Sequence, residues 1–151
     1  MIQSRHLFTL SADVPKIVDL GATPAGHRRI ATVTGGTFKG ERLSGTLQPT
    51  PGGDWLLLRP DGATILDVRV TLETDDRQLI YMTYHGVRHG PAEVLARLAK
   101  GEAVDPASYY FRTTPLFETA SPKYDWLNRI VAVATGRREK SGPVYEVYEV
   151  L

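Results

Sequence analysis

Ile65-Leu66-Asp67-Val68-Arg69-Val70-Thr71-Leu72-Glu73 decides the fold. Successive side chains of an extended chain point to opposite sides, so Leu66, Val68, Val70 and Leu72 share one face and Asp67, Arg69, Thr71 and Glu73 the other. The period is two, which predicts a strand with one apolar and one polar face. Similar β-rich runs occur at Ser4 to Ala12, Arg28 to Thr34, Arg42 to Leu47, Asp54 to Arg59, Gln78 to Val87, Tyr109 to Thr113, Arg129 to Thr135 and Val144 to Leu151. Gly35-Gly36, Pro51-Gly52-Gly53, Pro60-Asp61-Gly62, Asp75-Asp76 and Ser141-Gly142-Pro143 punctuate them at short intervals, which suits hairpins and antiparallel neighbours. Asp19 to His27, with Gly21, Pro24 and Gly26, reads as a loop. Thr34-Gly35-Gly36-Thr37-Phe38-Lys39-Gly40 reads as glycines at bulges rather than a phosphate loop, because no Gly-Lys-Ser/Thr follows and no helix opens there.

One helix is predicted. Pro91 suits a first helical position, Glu93 to Lys100 are good helix formers, and Gly101 stops the run. Its stripe of Val94, Leu95 and Leu98 would cover an open barrel end or one sheet face, while Arg97 and Lys100 meet the negative end of the dipole, so it reads as a plug or lid. About nine short strands with one helix imply a sandwich or a barrel. The barrel is favoured: an all-β chain with one short helix, closed or nearly closed into about 8–10 antiparallel strands on a calycin- or lipocalin-like plan. Its lumen would give the polar face of Ile65 to Glu73 a ligand to meet, whereas in a sandwich that face would simply be solvent.

A length of 151 residues suits one domain, 1–151, around one core. The chain is 42% hydrophobic and 23% charged, which fits neither a disordered nor a highly charged protein. Lys+Arg 18 against Asp+Glu 17 gives +1, so no net field draws it to nucleic acid or an anionic membrane. With no cysteine, disulfides, thiolate metal sites and Cys nucleophiles are excluded. The first ten residues lack an export h-region and no apolar run reaches membrane-spanning length, so a cytoplasmic protein is expected. The expected partner is a small molecule, with no nucleic acid and no membrane. Val144 to Leu151, with Tyr145 and Tyr148 assigned to opposite faces, offers a surface for a homodimer.

Chemistry-bearing residues fall in clusters. Asp67 and Arg69 point the same way and either flank a ligand, with Arg69 holding Asp67 ionised, or decorate an outer strand face. Asp54-Trp55 follows a Gly-Gly turn and sets a carboxylate beside an aromatic wall, or serves as a turn residue. Tyr109 to Glu118 interleaves aromatics with Arg112 and Glu118, which suits either a planar oxygenated ligand or core packing with an ion pair. Tyr124-Asp125-Trp126-Leu127-Asn128 has the same two readings, and Asn128, the chain's single asparagine, is either a turn former or an amide donor. His85 and His89 lack the accompanying pattern of a metal site, and none is expected. Arg137-Arg138-Glu139-Lys140 reads as a solvated hairpin tip, and Gly-x-Ser-x-Gly is absent.

The order of Gly35-Gly36, Phe38, Gly40, Leu43, Gly45, Asp54-Trp55, Asp61-Gly62, Asp67, Arg69, Tyr110-Phe111-Arg112-Thr113, Phe117-Glu118, Tyr124 and Trp126-Leu127-Asn128 resembles the domain-of-unknown-function family 3237 (DUF3237), also called uncharacterised protein family 0311. The resemblance covers nearly the whole chain. It implies a small antiparallel β-barrel, found in bacterial proteins of mostly unknown role and in fungal natural-product pathways. Some fungal relatives are similar to cyclases that add a hydroxyl oxygen across an activated alkene without redox cofactor or metal. A bacterial member would do this within one molecule or with water, as a cofactor-independent lyase or isomerase of hydratase or cyclase type.

Such chemistry asks for a base, an oxyanion partner and an acid. Carried onto this chain, the resemblance makes Asp67 or Asp54 the base with Glu118 as alternate, Arg69 or Arg112 the oxyanion partner, and Tyr84 the acid. Trp55, Phe117 and Trp126 would form apolar walls, with Tyr110 and Asn128 as further ligand contacts. The alternatives are a barrel that binds a small molecule without turnover, and an assembly protein whose aromatic segment lies outside.

Overall fold

The Ile65–Glu73 alternation lies within the strand Thr64–Thr74 of a computed structural model that describes residues 1–49 and 51–151. The strands, in chain order, are β1 (Ser4–Asp13), β2 (Lys16–Thr23), β3 (Gly26–Thr32), β4 (Gly35–Lys39), β5 (Ser44–Leu47), β6 (Gly53–Leu58), β7 (Thr64–Thr74), β8 (Leu79–His89), β9 (Tyr110–Glu118), β10 (Ala132–Arg138) and β11 (Pro143–Val150). A single α-helix, α1 (Ala92–Ala99), follows β8, and 3-10 helices span Pro106–Ser108 and Pro122–Arg129. No helix among the described residues is long and apolar enough to cross a membrane.

Strand β7 pairs with β8 along almost its whole length, while its other edge is shared by β6 and β5. The circuit β7-β5-β4-β1-β11-β10-β9-β8 closes through the β7–β8 ladder into an eight-stranded antiparallel barrel. Strands β6, β3 and β2 branch from β7 and extend the wall as a flap.

The face that points inward is the apolar one. Leu66, Val68, Val70 and Leu72 are buried in the barrel, and Asp67 and Arg69 lie outside, paired at 3.4 Å. Burying both charges would cost several kcal/mol of desolvation that an exposed pair avoids. The lumen therefore does not take the polar face of this strand, contrary to the sequence expectation, although the barrel itself is observed.

One half of the barrel is filled solid by Phe8, Phe38, Leu72, Ile80 and Met82, none more than 1% exposed. The Phe8 ring meets Phe38 edge-on at 5.4 Å and Phe117 at 6.0 Å. The 3-10 helix Pro122–Arg129 plugs this end, burying Tyr124 and Leu127. The Tyr124 hydroxyl donates to Asp76 at 2.8 Å, and Trp126 stacks under the Arg42 guanidinium at 4.0 Å. Asn128 accepts from the Thr119 amide at 2.8 Å and donates to its carbonyl at 3.0 Å, which fixes the bend after β9.

Two segments differ from the sequence expectation. Asp19 to His27 is not a loop: it forms most of the β2–β3 hairpin, where Gly21, at φ +81°, absorbs a register shift. Gly35 to Lys39 is strand β4 and pairs with β1. At Gly36 a side chain would start 2.1 Å from the Ser11 carbonyl oxygen, so glycine there permits the strands to approach. In both segments the glycines lower the local β-propensity, so pairing with a neighbouring strand reveals what composition does not.

Helix α1 is capped by Pro91, which precedes its first turn instead of occupying it, and ends at Lys100 before Gly101 at φ +76°. Val94 and Leu98 pack partly buried against the core, and Arg97 pairs with Glu102 at 2.8 Å on the solvent side.

Candidate active site

Under α1 the barrel is not filled. A cavity of about 350 Å³ lies between the flap, the barrel wall and Leu95, Leu98 and Ala99 of the helix. Its character follows from reading the inward positions along each strand away from the plugged end. On β8 these are Ile80, Met82, Tyr84, Gly86 and Arg88, aligned with Leu72, Val70, Val68, Leu66 and Thr64 of β7. On β10 and β11, the paired positions Ala134 and Val147 give way to Gly136 and Tyr145, then Arg138 and Pro143. Hydrocarbon becomes hydroxyl and guanidinium on the same faces. Gly136 is required for this arrangement, since a Cβ there would lie 2.8 Å from the Phe111 ring that walls the cavity.

Asp54 enters from β6. The registers Asp54↔Val68 and Val68↔Tyr84 place Asp54 and Tyr84 on either side of one β7 residue, facing the same space. Asp54 is 9% exposed, and its Oδ1 accepts from the Asp67 amide at 3.1 Å. Burial pushes its carboxyl up to about 7, against the Asp67 amide and the Arg88 and Arg138 charges, which favour the anion. Asp54 is thus poised between acid and base near neutral pH.

The Tyr84 and Tyr145 rings meet edge-on at 5.1 Å, and Tyr145 meets Phe111 at 5.4 Å. Burial raises both phenols above the ordinary range, and the Asp54 charge pushes the same way, so both remain proton donors. The Tyr145 hydroxyl is buried, adjoins that of Tyr84 and makes no well-formed hydrogen bond among the described residues. Burial, and then Arg138, pull the Arg88 guanidinium down from its usual value, yet a guanidinium stays charged. Arg88 sits 5.7 Å from the Phe111 ring, and its Nε is buried without a partner. The Arg138 amide donates to the Tyr109 hydroxyl at 2.9 Å, which anchors that end of β10.

Of the residues singled out in the sequence, Asp54 and Tyr84 line the cavity. Asp67 and Arg69 are on the outer wall, with His85 3.8 Å from Asp67 and Arg69 5.5 Å above Trp55, which is also outside. Arg112 lies outside over Tyr110 at 4.9 Å, and Tyr110 stacks on His89 at 5.0 Å. Strand parity explains this, because β9 turns Phe111, Thr113 and Pro115 inward and leaves Tyr110, Arg112 and Glu118 exposed. Phe117 faces in but belongs to the filled half, while Trp126 and Asn128 plug its end.

Arg88, Arg138 and Tyr145 also line the cavity and are not among the candidates from the sequence. Arg88 shares parity with Tyr84, four residues earlier, and that spacing could have found it. Arg138, expected at a solvated tip, and Tyr145, expected on a strand offering a dimer surface, both line the cavity. Among the described residues, no group of three or more His, Asp or Glu side chains could hold a metal ion.

Fold and site together define a lidded antiparallel β-barrel with a polar, positively biased cavity. The chain belongs to the DUF3237 family, described as a protein of unknown function, whose model matches residues 2–150. It is 37% identical over 150 residues to the UPF0311 protein RPA1785 of Rhodopseudomonas palustris, covering 99% of this chain and 97% of that one. The crystal structure of RPA1785, a conserved protein of unknown function, matches with a TM-score of 0.96 over 100% of this chain and 99% of its own. A β-barrel-like protein from Acinetobacter baumannii AYE is 44% identical, with a TM-score of 0.87 over 100% and 97% of the two chains. A crystal structure of an enzyme from Penicillium herquei shares the fold, with a TM-score of 0.75 at 21% identity over 99% and 95%.

Proposed function

We propose that this barrel is a cofactor-independent lyase or isomerase that adds an oxygen nucleophile to, or removes it from, a small conjugated carbonyl compound in the cavity. The observation that carries the reading is Asp54, buried with its carboxyl near 7 in the same space as Arg88, Arg138, Tyr84 and Tyr145. A base whose pKa matches the working pH combines availability with driving force, and a buried carboxylate among fixed donors is where proton transfer and charge stabilisation meet.

The steps balance without an electron carrier. The Asp54 carboxylate takes the proton of a hydroxyl, supplied by water or by the substrate itself, as that oxygen bonds to the β-carbon of the alkene. The alkene electron pair moves onto the carbonyl, forming an enolate whose oxygen faces the guanidiniums and phenols. The α-carbon then takes a proton from the protonated Asp54 or from Tyr84, which Asp54 reprotonates. The reverse order eliminates the same oxygen. The fold shared with an enzyme of Penicillium herquei supports a catalytic reading of the barrel.

The test is to incubate the protein with conjugated enones and hydroxylated aromatics and follow gain or loss of water, or isomer formation, by mass spectrometry. Asp54→Asn is expected to reduce turnover about 10²–10⁴-fold, the range of a positioned general base. Turnover that survives Asp54→Asn overturns the assignment. Tight binding with no turnover of any compound would favour a binding barrel.

A further inference from the structure

We propose that the cavity ligand is a small organic anion, a carboxylate conjugated to an alkene or aromatic ring, held by Arg88 and Arg138 with the Tyr145 hydroxyl as a third donor. The inference deepens the reading above and rests on the same cavity. It names the ground-state group that the positive pole of that cavity receives.

The first support is a difference among the arginines. Among the described residues, Arg5, Arg29, Arg42, Arg59, Arg69, Arg77, Arg97, Arg129 and Arg137 each pair with a carboxylate. Arg28 and Arg112 donate to backbone carbonyls. The Arg88 and Arg138 guanidiniums do neither, and both line the cavity. Arg29, also on the cavity wall, is already committed to Asp19 at 3.1 Å.

The second support is charge balance. Asp54 is the one carboxylate among the described residues lining the cavity, and it faces both guanidiniums while holding a proton much of the time near neutrality. Arg88 and Arg138 are each partly withdrawn from water, and a cation so placed without a counter-charge is costly, so the site carries an unmet demand for negative charge. The planar fork of a guanidinium matches the two oxygens of a carboxylate. The third support is Tyr145, 1% exposed, whose buried hydroxyl adjoins that of Tyr84 and makes no well-formed hydrogen bond among the described residues. Apart from Arg29, Thr64 and Tyr84 the remaining wall is hydrocarbon, including Leu56, Leu66, Phe111 and Leu98, which suits an organic anion better than a bare inorganic ion. A volume of about 350 Å³ lies at the small end of ligand pockets. In an unsaturated acid the same two guanidiniums would meet the extra charge that develops on the carboxylate oxygens when oxygen adds at the β-carbon.

The experiment compares shape-matched probes by calorimetry and thermal shift on the full chain: cinnamate, methyl cinnamate, cinnamyl alcohol and inorganic phosphate. Cinnamate is expected to bind at least tenfold more tightly than the ester, the alcohol or phosphate. Its affinity should rise as pH falls from 8 to 6, because protonating Asp54 removes the negative charge that opposes it. Arg88→Gln and Arg138→Gln should each weaken cinnamate at least tenfold and leave the alcohol unchanged. The wild-type preference for cinnamate over its ester and alcohol decides the matter independently if either variant folds poorly. Equal binding of ester and carboxylate, phosphate binding as well as cinnamate, no carboxylate binding, or a flat pH profile would each overturn the inference. Turnover of neutral enones without carboxylate preference would sink this inference and leave the enzyme reading standing. Carboxylate binding with no conjugated acid or enone converted would do the reverse.

Discussion

The two halves of the barrel are built on the same strands and do opposite things. Toward the Pro122–Arg129 plug, the inward positions of β1, β7 and β8 carry Phe8, Leu72, Ile80 and Met82, and the space is full. Toward α1, the inward positions of β6, β8, β10 and β11 carry Asp54, Tyr84, Arg88, Arg138 and Tyr145, and a cavity remains. Close packing stabilises the first half. The second keeps polar groups short of partners and an acid away from its preferred charge state, both of which oppose folding. The barrel thus concentrates stability at one end and reactivity at the other, and the continuous strands let the solid end position the reactive one.

Breaking the solid half should have the largest effect. Phe8→Ala, at a fully buried position, is expected to lower stability by about 3–5 kcal/mol in urea unfolding. The molecules that remain folded should bind ligand normally.

The open half should behave in the opposite sense. The folded state raises the Asp54 carboxyl from 3.8 to about 7, so it retains a proton that the unfolded chain releases. Stability therefore falls as pH rises through that window and stays low above it. Asp54→Asn removes the effect. The variant should match the parent near pH 4 and exceed it at pH 8 by up to about 4 kcal/mol, read from denaturation midpoints at each pH, while turnover is lost.

Tyr145→Phe sharpens the contrast further. Removal of a buried hydroxyl that makes no well-formed protein hydrogen bond should leave stability unchanged or slightly higher, while loss of a donor to a charged ligand weakens binding or turnover by about 1.5–3 kcal/mol. Leu98→Ala in α1, only partly buried, should cost at most about 1 kcal/mol and speed ligand release, measurable by stopped-flow displacement. The smallest effect belongs outside the barrel. Asp67→Asn, at the exposed pair with Arg69, should change stability by less than about 0.5 kcal/mol and leave turnover intact.

Legibility in the sequence followed the same division. The alternation of Ile65 to Glu73 and the turn residues between runs were enough for an antiparallel all-β chain and its closure. The helix Ala92–Ala99 was readable from Pro91, Gly101 and its apolar stripe, including its place as a lid. Asp54 and Tyr84 were legible as chemistry, and Arg88 was within reach through its shared parity with Tyr84. Asp67, Arg69 and Arg112 carried equally suggestive chemistry but lie on the other side of the wall. Arg138 and Tyr145 sit on strands more than fifty residues after Tyr84 in the chain, and nothing local ties them to it.

What the amino-acid sequence determined by itself was period, strand number within about two, and the division of each strand into two faces. Period-two geometry is a local property of extended backbone, so it survives without a partner. Which face became the inside, and which polar groups were left sharing it, was decided by tertiary structure. Pairing register and desolvation act between strands distant in sequence: the ladder through Val68 brings Asp54 beside Tyr84, and the expense of burying Asp67 with Arg69 turns that pair outward.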